Sequence, residues 1–227
     1  TADLGLEHRP AVGHLFRYKA AGLAGQGRPR AVQKVIEDCL RNPVQYFSPG
    51  QIMVTAASEL RYHGYRKESA ELAGRAVEWF EHQAEDSVSP FATPANRLFH
   101  ARALRMVGRW DEAKGLLDEL AGRSWRPLDV QGALGIIAAH DGDRLAVERI
   151  CAQLPVSDDP MREALDLYWR AAIAAQLGDK DQAVDLLGEA FNKGLRTREW
   201  YEEPGGDYYW QVYADFDLEP LWHYPPF

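Results

Sequence analysis

The sequence predicts an all-α fold, a solenoid of about five helical hairpins closed by an irregular, aromatic C-terminal cap. Three observations carry this. Five glycines, Gly27, Gly64, Gly108, Gly142 and Gly178, recur at intervals of 37, 44, 34 and 36 residues, a spacing typical of helical-hairpin repeats. Small and apolar residues flank each of them at the same offsets. No stretch alternates apolar and polar residues as a half-buried strand does.

Within each hairpin the offsets follow the 3.6-residue helical period. The first, near 12–41, has Ala20 and Leu23 before Gly27 and Val32, Ile36 and Cys39 after it, with Pro29 at the start of the second helix, where proline is tolerated. The second, near 50–83, has Ala57 and Leu60, then Ser69, Ala73 and Ala76. The third, near 94–121, is the clearest: Ala101 and Leu104 share one helix face, and Ala113, Leu117 and Leu120 share a face of the next. Between them Gly108-Arg-Trp-Asp forms the turn, the glycine taking the left-handed conformation that ends one helix and Asp111 accepting amide hydrogen bonds at the start of the next. The fourth, near 127–154, has Gly135, Ala138, Val147, Cys151 and Leu154, and the fifth, near 160–193, has Ala171, Ala174, Ala183, Leu187 and Ala190. The small residues let antiparallel helices approach closely.

Residues 84–94 account for the long second interval: two prolines and two serines there read as a loop after a lengthened helix. Residues 194–227 form the cap. From Glu199 to Glu219 there are seven acidic residues and no basic ones, and ten aromatic side chains follow Glu199. A disordered tail is poor in aromatics, so this segment is expected to fold onto the exposed apolar end of the last hairpin.

The rhythm of small, apolar, Gly, Asp, Ala, Leu and Ala resembles the tetratricopeptide repeat over residues 12–193. The resemblance implies a right-handed α-solenoid whose ligands lie in a concave groove lined by the first helices. The chain departs from the family early in those helices, where a bulky aromatic is replaced by Phe16, Met53, Arg97, Gln131 and Leu167. Asp217-Leu-Glu-Pro-Leu221, closing on Pro226-Phe227, resembles the ending of many bacterial tetratricopeptide proteins. This likeness implies the C-terminal scaffold or sensor part of a larger regulatory chain whose upstream domains carry the output.

Composition narrows the function classes. With 34 acidic against 26 basic residues, a net charge of −8 disfavours nucleic acid, which calls for a basic stripe. No dense lysine and arginine cluster suits an anionic membrane surface, and the apolar run 133–139 is far shorter than the ~20 residues of a transmembrane helix. Cys39 and Cys151 fall on inward helix faces and read as buried free thiols in a reducing, cytoplasmic setting. None of the seven histidines pairs with another at the spacing that aims two imidazoles at one metal from a helix. Neither a phosphate-binding glycine loop nor a Gly-x-Ser-x-Gly elbow is present. No metal or cofactor is therefore expected.

The groove is the leading functional candidate. Carrying the family's first-helix contacts over by offset from each glycine assigns Arg17, Arg61, Tyr62, Arg102, Arg105, Met106, His140 and Tyr168 to it, together with His14, Gln51, Ser58, Ile136 and Gln176. Arginines present forked donors to carboxylates, so the expected partner is a protein or an acidic peptide bound by a monomeric or dimeric, non-enzymatic module. Two alternatives stand beside it. One is a helical-toroid hydrolase using Glu202, Glu203 and Asp207 as acid and base, and the other is a structural or self-associating spacer. The acidic tail, 199–219, also has the composition to occupy an arginine-lined groove itself.

Overall fold

The computed structural model describes residues 13–42, 47–85, 93–122, 127–154, 160–195 and 212–227. Among these residues there are ten α-helices, two 3-10 helices and no strand. In chain order they are α1 (Gly13–Gly25), α2 (Pro29–Arg41), α3 (Pro49–Tyr62), α4 (Arg66–Glu85), α5 (Pro94–Met106), α6 (Trp110–Leu120), α7 (Pro127–His140), α8 (Arg144–Gln153), α9 (Pro160–Leu177) and α10 (Lys180–Asn192), followed by the 3-10 helices Val212–Ala214 and Phe216–Leu221.

Proline starts half of the α-helices, at Pro29, Pro49, Pro94, Pro127 and Pro160. Its fixed φ suits the first helical residue, and the N–H it lacks would have had no partner there. Glycine ends the first helix of every repeat. Gly27, Gly64, Gly108, Gly142 and Gly178 have φ of 66°, 86°, 81°, 74° and 88°, a region closed to most side-chain-bearing residues. The hydrogen bonding is the same at all five. In the third turn Gly108 N–H donates to Arg105 O at 3.0 Å and Arg109 N–H to Leu104 O at 2.9 Å, the double bond pattern that satisfies a helix's last carbonyls. Gly122 and Gly194, also at positive φ, follow α6 and α10 and were not part of the repeat pattern.

The carboxylates of the turns divide their work differently from the expectation. Asp111 lies one residue inside α6, so its charge complements the helix's positive end. Asp143 is a true cap, its Oδ1 accepting from Ala146 N–H at 2.9 Å. Asp179 precedes α10 without a side-chain bond to that helix and instead accepts from Arg144 Nη1 at 3.3 Å.

The described residues fall into two compact units, one running to Ala113 and the other from Lys114 onward. The repeat pattern, which runs through this point, has no counterpart to the division. In the first unit α1 packs on α2 and α3, α3 on α4 and α5, and α4 on α5. In the second, α7 packs on α8 and α9, and α9 packs on α10 and on the 3-10 helix Phe216–Leu221. Most residues at the repeat offsets are core: Ala20, Ala57, Ala101 and Ala171 are sealed, as are Val32, Ser69, Ala113 and Ala183 on the partner helices, whereas Leu23, Ala138 and Cys151 are half-buried. Where the other hairpins place Ala or Val, Ser69 keeps its hydroxyl by donating it to Ala57 O at 2.7 Å. The 20 residues of α4 contain the extra length of the second interval.

Both cysteines are free thiols. Cys39 is fully buried, and burial pushes its thiol up to about 12. Cys151 is only half-buried, a correction to the expectation that both are sealed, and burial raises its thiol as well. Thiolate is the reactive species. In native protein at neutral pH, maleimide is therefore expected to label Cys151 slowly and to label Cys39 only after unfolding. Equal native labelling of the two, read by peptide mass spectrometry, would contradict the packing of α2.

Candidate site on the first-helix face

The candidate residues divide between the units. Arg17, Arg61, Tyr62, Arg102, Arg105 and Met106 belong to the first and His140 and Tyr168 to the second. In the first unit they stand on α1, α3 and α5, helices that pack in series. Arg61 and Arg105 occupy the same repeat position, three residues before their glycines, where the other hairpins have Ala24, Ala139 and Ala175.

A chain of polar bonds fixes the register of α3 against α5. Ser48 caps α3, its Oγ accepting from Gln51 N–H at 3.2 Å while Gln51 Oε1 accepts from Ser48 N–H at 2.9 Å. The reciprocal pair satisfies two amides that a helix start leaves open. Ser48 Oγ also donates to Asn96 Oδ1 at 2.6 Å, and Asn96 N–H donates to Thr93 Oγ1 at 3.2 Å at the start of α5. One hydroxyl thus ties two consecutive first helices together, in a buried place where losing a partner costs about 1–3 kcal/mol. Gln51 was expected to face the groove. It is buried in this cap instead.

The arginines differ in depth. Arg17 is only 5% exposed, with its guanidinium carbon 4.4 Å from the centroid of the Phe47 ring and 5.1 Å from that of Tyr18. Such stacking suits the flat, weakly hydrated guanidinium. His14 meets the same Phe47 ring edge-on at 4.7 Å. Arg105 and Met106 are buried as well. Arg61, Tyr62 and Arg102 are half-buried and reach solvent, and Tyr62 packs edge-on against His63 at 5.1 Å. A row of four open arginines therefore contracts to two, Arg61 and Arg102, with Arg17 and Arg105 below the surface. Glu59, 2% exposed and one turn from His63, is the acidic exception on this face.

In the second unit the two candidates part company. His140, the last residue of α7, is exposed. Tyr168 is buried, and its hydroxyl donates to Asp215 Oδ2 at 2.8 Å. The segment 212–227 therefore uses α9 as its own dock. Gln176 Nε2 donates to Asp217 O at 3.3 Å, Leu218 and Leu221 are sealed, and Tyr224 reaches the Asp181 carboxylate on α10. Tyr168 and Gln176 are thus engaged by the C-terminal segment, Tyr168 buried and Gln176 half-buried. Asp215 and Asp217 are both buried; the sequence places Asp217 at the head of the ending motif, and gives no sign of the bond that Asp215 makes to Tyr168.

Glu202, Glu203 and Asp207, the carboxylates of the hydrolase alternative, lie outside the described residues, as does the stretch 199–211 of the acidic tail. Among the described residues no group of three His, Cys, Asp or Glu side chains could hold a metal ion. No helix there is long and apolar enough to cross a membrane. No family model, no curated protein and no solved structure matches the chain.

Proposed function

We propose that this chain is a non-enzymatic interaction module, a right-handed solenoid of the tetratricopeptide type whose first-helix face in the first unit captures an acidic segment of a partner protein. The observation that carries the reading is the sorting of charge. The helices α1, α3 and α5 hold Arg17, Lys19, Arg61, Arg97, Arg102 and Arg105 against a single acid, Glu59, in a chain of net charge −8. Six cations on three serially packed helices make a local field opposite in sign to the molecule's own. Such a field steers and orients acidic ligands. Arg61 and Arg102, half-buried like Lys19 and Arg97, supply the first contacts, and Tyr62 next to Arg61 supplies apolar surface. The free thiols suit a reducing, cytoplasmic setting.

The test is fluorescence anisotropy with a labelled peptide alternating Glu and Leu, beside its Lys and Leu counterpart. Wild type is expected to bind the acidic peptide alone and to lose affinity as salt rises. Arg61→Glu/Arg102→Glu, a double variant that leaves buried Arg17 and Arg105 in place, is expected to weaken binding at least tenfold, which is about 1.4 kcal/mol. Equal binding of the two peptides, or an unaltered double variant, sinks the proposal.

A further inference from the structure

His100 lies at the point where α4, α5 and α6 meet their shared ion-pair bridge. Its ring is stacked on that of Phe80 of α4, with centroids 5.3 Å apart and planes at 23°. Its Nε2 is buried and makes no hydrogen bond. Four charges act on it: Glu81 from α4, Arg97 from its own helix, Arg109 from the turn and Glu112 from α6. No group of α3, the other helix packed on α5, is among them.

Both carboxylates of that set are already committed. Arg109 donates through Nη2 to Glu81 Oε1 at 2.9 Å and through Nε to Glu112 Oε1 at 2.6 Å. This one guanidinium therefore bridges α4 and α6. In the protonated ring both nitrogens carry N–H, the buried Nε2 has no acceptor, and the new charge is opposed by the Arg97 and Arg109 guanidiniums. An imidazolium would compete with Arg109 for the Glu81 and Glu112 carboxylates, and so loosen the bridge.

We propose that His100 is an acid-sensitive joint: its protonation releases α5 from α4 and disturbs the helix that carries Arg97, Arg102 and Arg105. Burial is the largest influence on the imidazole and lowers its affinity for protons, Glu81 pulls the other way, and the balance falls below the ordinary value of 6.5. The sign follows from linkage. The closed joint favours neutral His100 while the opened one titrates normally, so the closed form is fully populated above the ordinary value. It is then lost as pH falls toward the depressed one. Within that window opening increases up to about tenfold per pH unit for one proton.

The test is hydrogen exchange of the α5 amides at pH 7.5 and 5.5, corrected for intrinsic exchange rates, with α2 as internal reference. In wild type α5 is expected to lose protection on acidification relative to α2. His100→Phe keeps the stack on Phe80 but takes no proton, so the acid response should vanish. If that variant does not fold, His100→Gln serves the same comparison. His63→Gln, which removes another imidazole of the first unit, should leave the response intact. Constant α5 protection in wild type, or an acid response that survives in the His100 variant, overturns the proposal. The consequence for partner capture rests on the function proposed above. Acid opening of α5 without any effect on acidic-peptide binding would count against that function and leave the joint standing.

Discussion

Gly132→Ala is expected to lower the denaturation midpoint of the protein, with a cost of about 1–3 kcal/mol for the overpacking it forces. Helix propensity alone predicts the opposite sign, since alanine in place of glycine inside a helix gains about 1 kcal/mol. Position decides between them. A methyl built on Gly132 would lie 2.1 Å from Trp169 Cδ2, 2.4 Å from Cγ and 2.6 Å from Cε3. These are atoms of a rigid ring close to its attachment, and Trp169 is itself buried on α9, so no flexible end can swing aside. Gly188, inside α10, supplies the contrast because a methyl there meets nothing within 4 Å. Gly188→Ala should gain about 0.4–1 kcal/mol by narrowing the unfolded ensemble. Urea denaturation of the two variants against wild type reads both signs. If Gly132→Ala proves as stable as wild type, α7 and α9 do not approach as closely as the structure requires. Trp169→Leu in the Gly132→Ala background should recover part of the loss, and a double-mutant cycle would show that the two sites are coupled.

Five glycines with common offsets were enough to place the turns, because a left-handed residue after a helix is a local requirement that only glycine meets cheaply, and all five have positive φ. The core positions followed for the same reason, since helical period fixes a face. Depth is not periodic. Arg17 and Arg61 share an origin in the first-helix pattern, yet Arg17 is roofed by Phe47, a residue 30 positions onward in the connection to the next hairpin. Offset counting assigns a side chain to a face and is silent on which neighbour closes over it. Gln51 is a different kind of miss. Ser48 and Gln51 spell a capping box, a signature legible in the sequence that turns the Gln51 side chain back to the helix start and away from the face its offset gives it. His100 carried no signal at all. A lone histidine on a helix acquires meaning only once Phe80 lies against it and Arg109 has claimed both nearby carboxylates.

Asp215→Ala is expected to detach the C-terminal segment from α9, with a loss of about 3 kcal/mol. Two bonds to this buried carboxylate explain the size. Tyr168, 2% exposed, donates its hydroxyl to Oδ2 at 2.8 Å, and Asp217 N–H donates to Oδ1 at 3.0 Å, capping the 3-10 helix Phe216–Leu221. Removing the carboxylate leaves a buried hydroxyl without its acceptor, at about 1–3 kcal/mol, and removes a cap of about 1 kcal/mol. Tyr168→Phe deletes the donor alone and should cost less, because Asp215 keeps the amide of Asp217. The order of effects is what a docking role requires: Asp215→Ala largest, Tyr168→Phe smaller, and the double variant no worse than Asp215→Ala, since both remove the same bond. Chymotryptic cleavage at Tyr213, already exposed at the surface, gives a local readout beside global denaturation. Cleavage there should accelerate in Asp215→Ala before the helical signal is lost. If it does not, the anchor lies in the apolar contacts of Leu218 and Leu221, and Leu218→Ala should release the segment where Asp215→Ala fails.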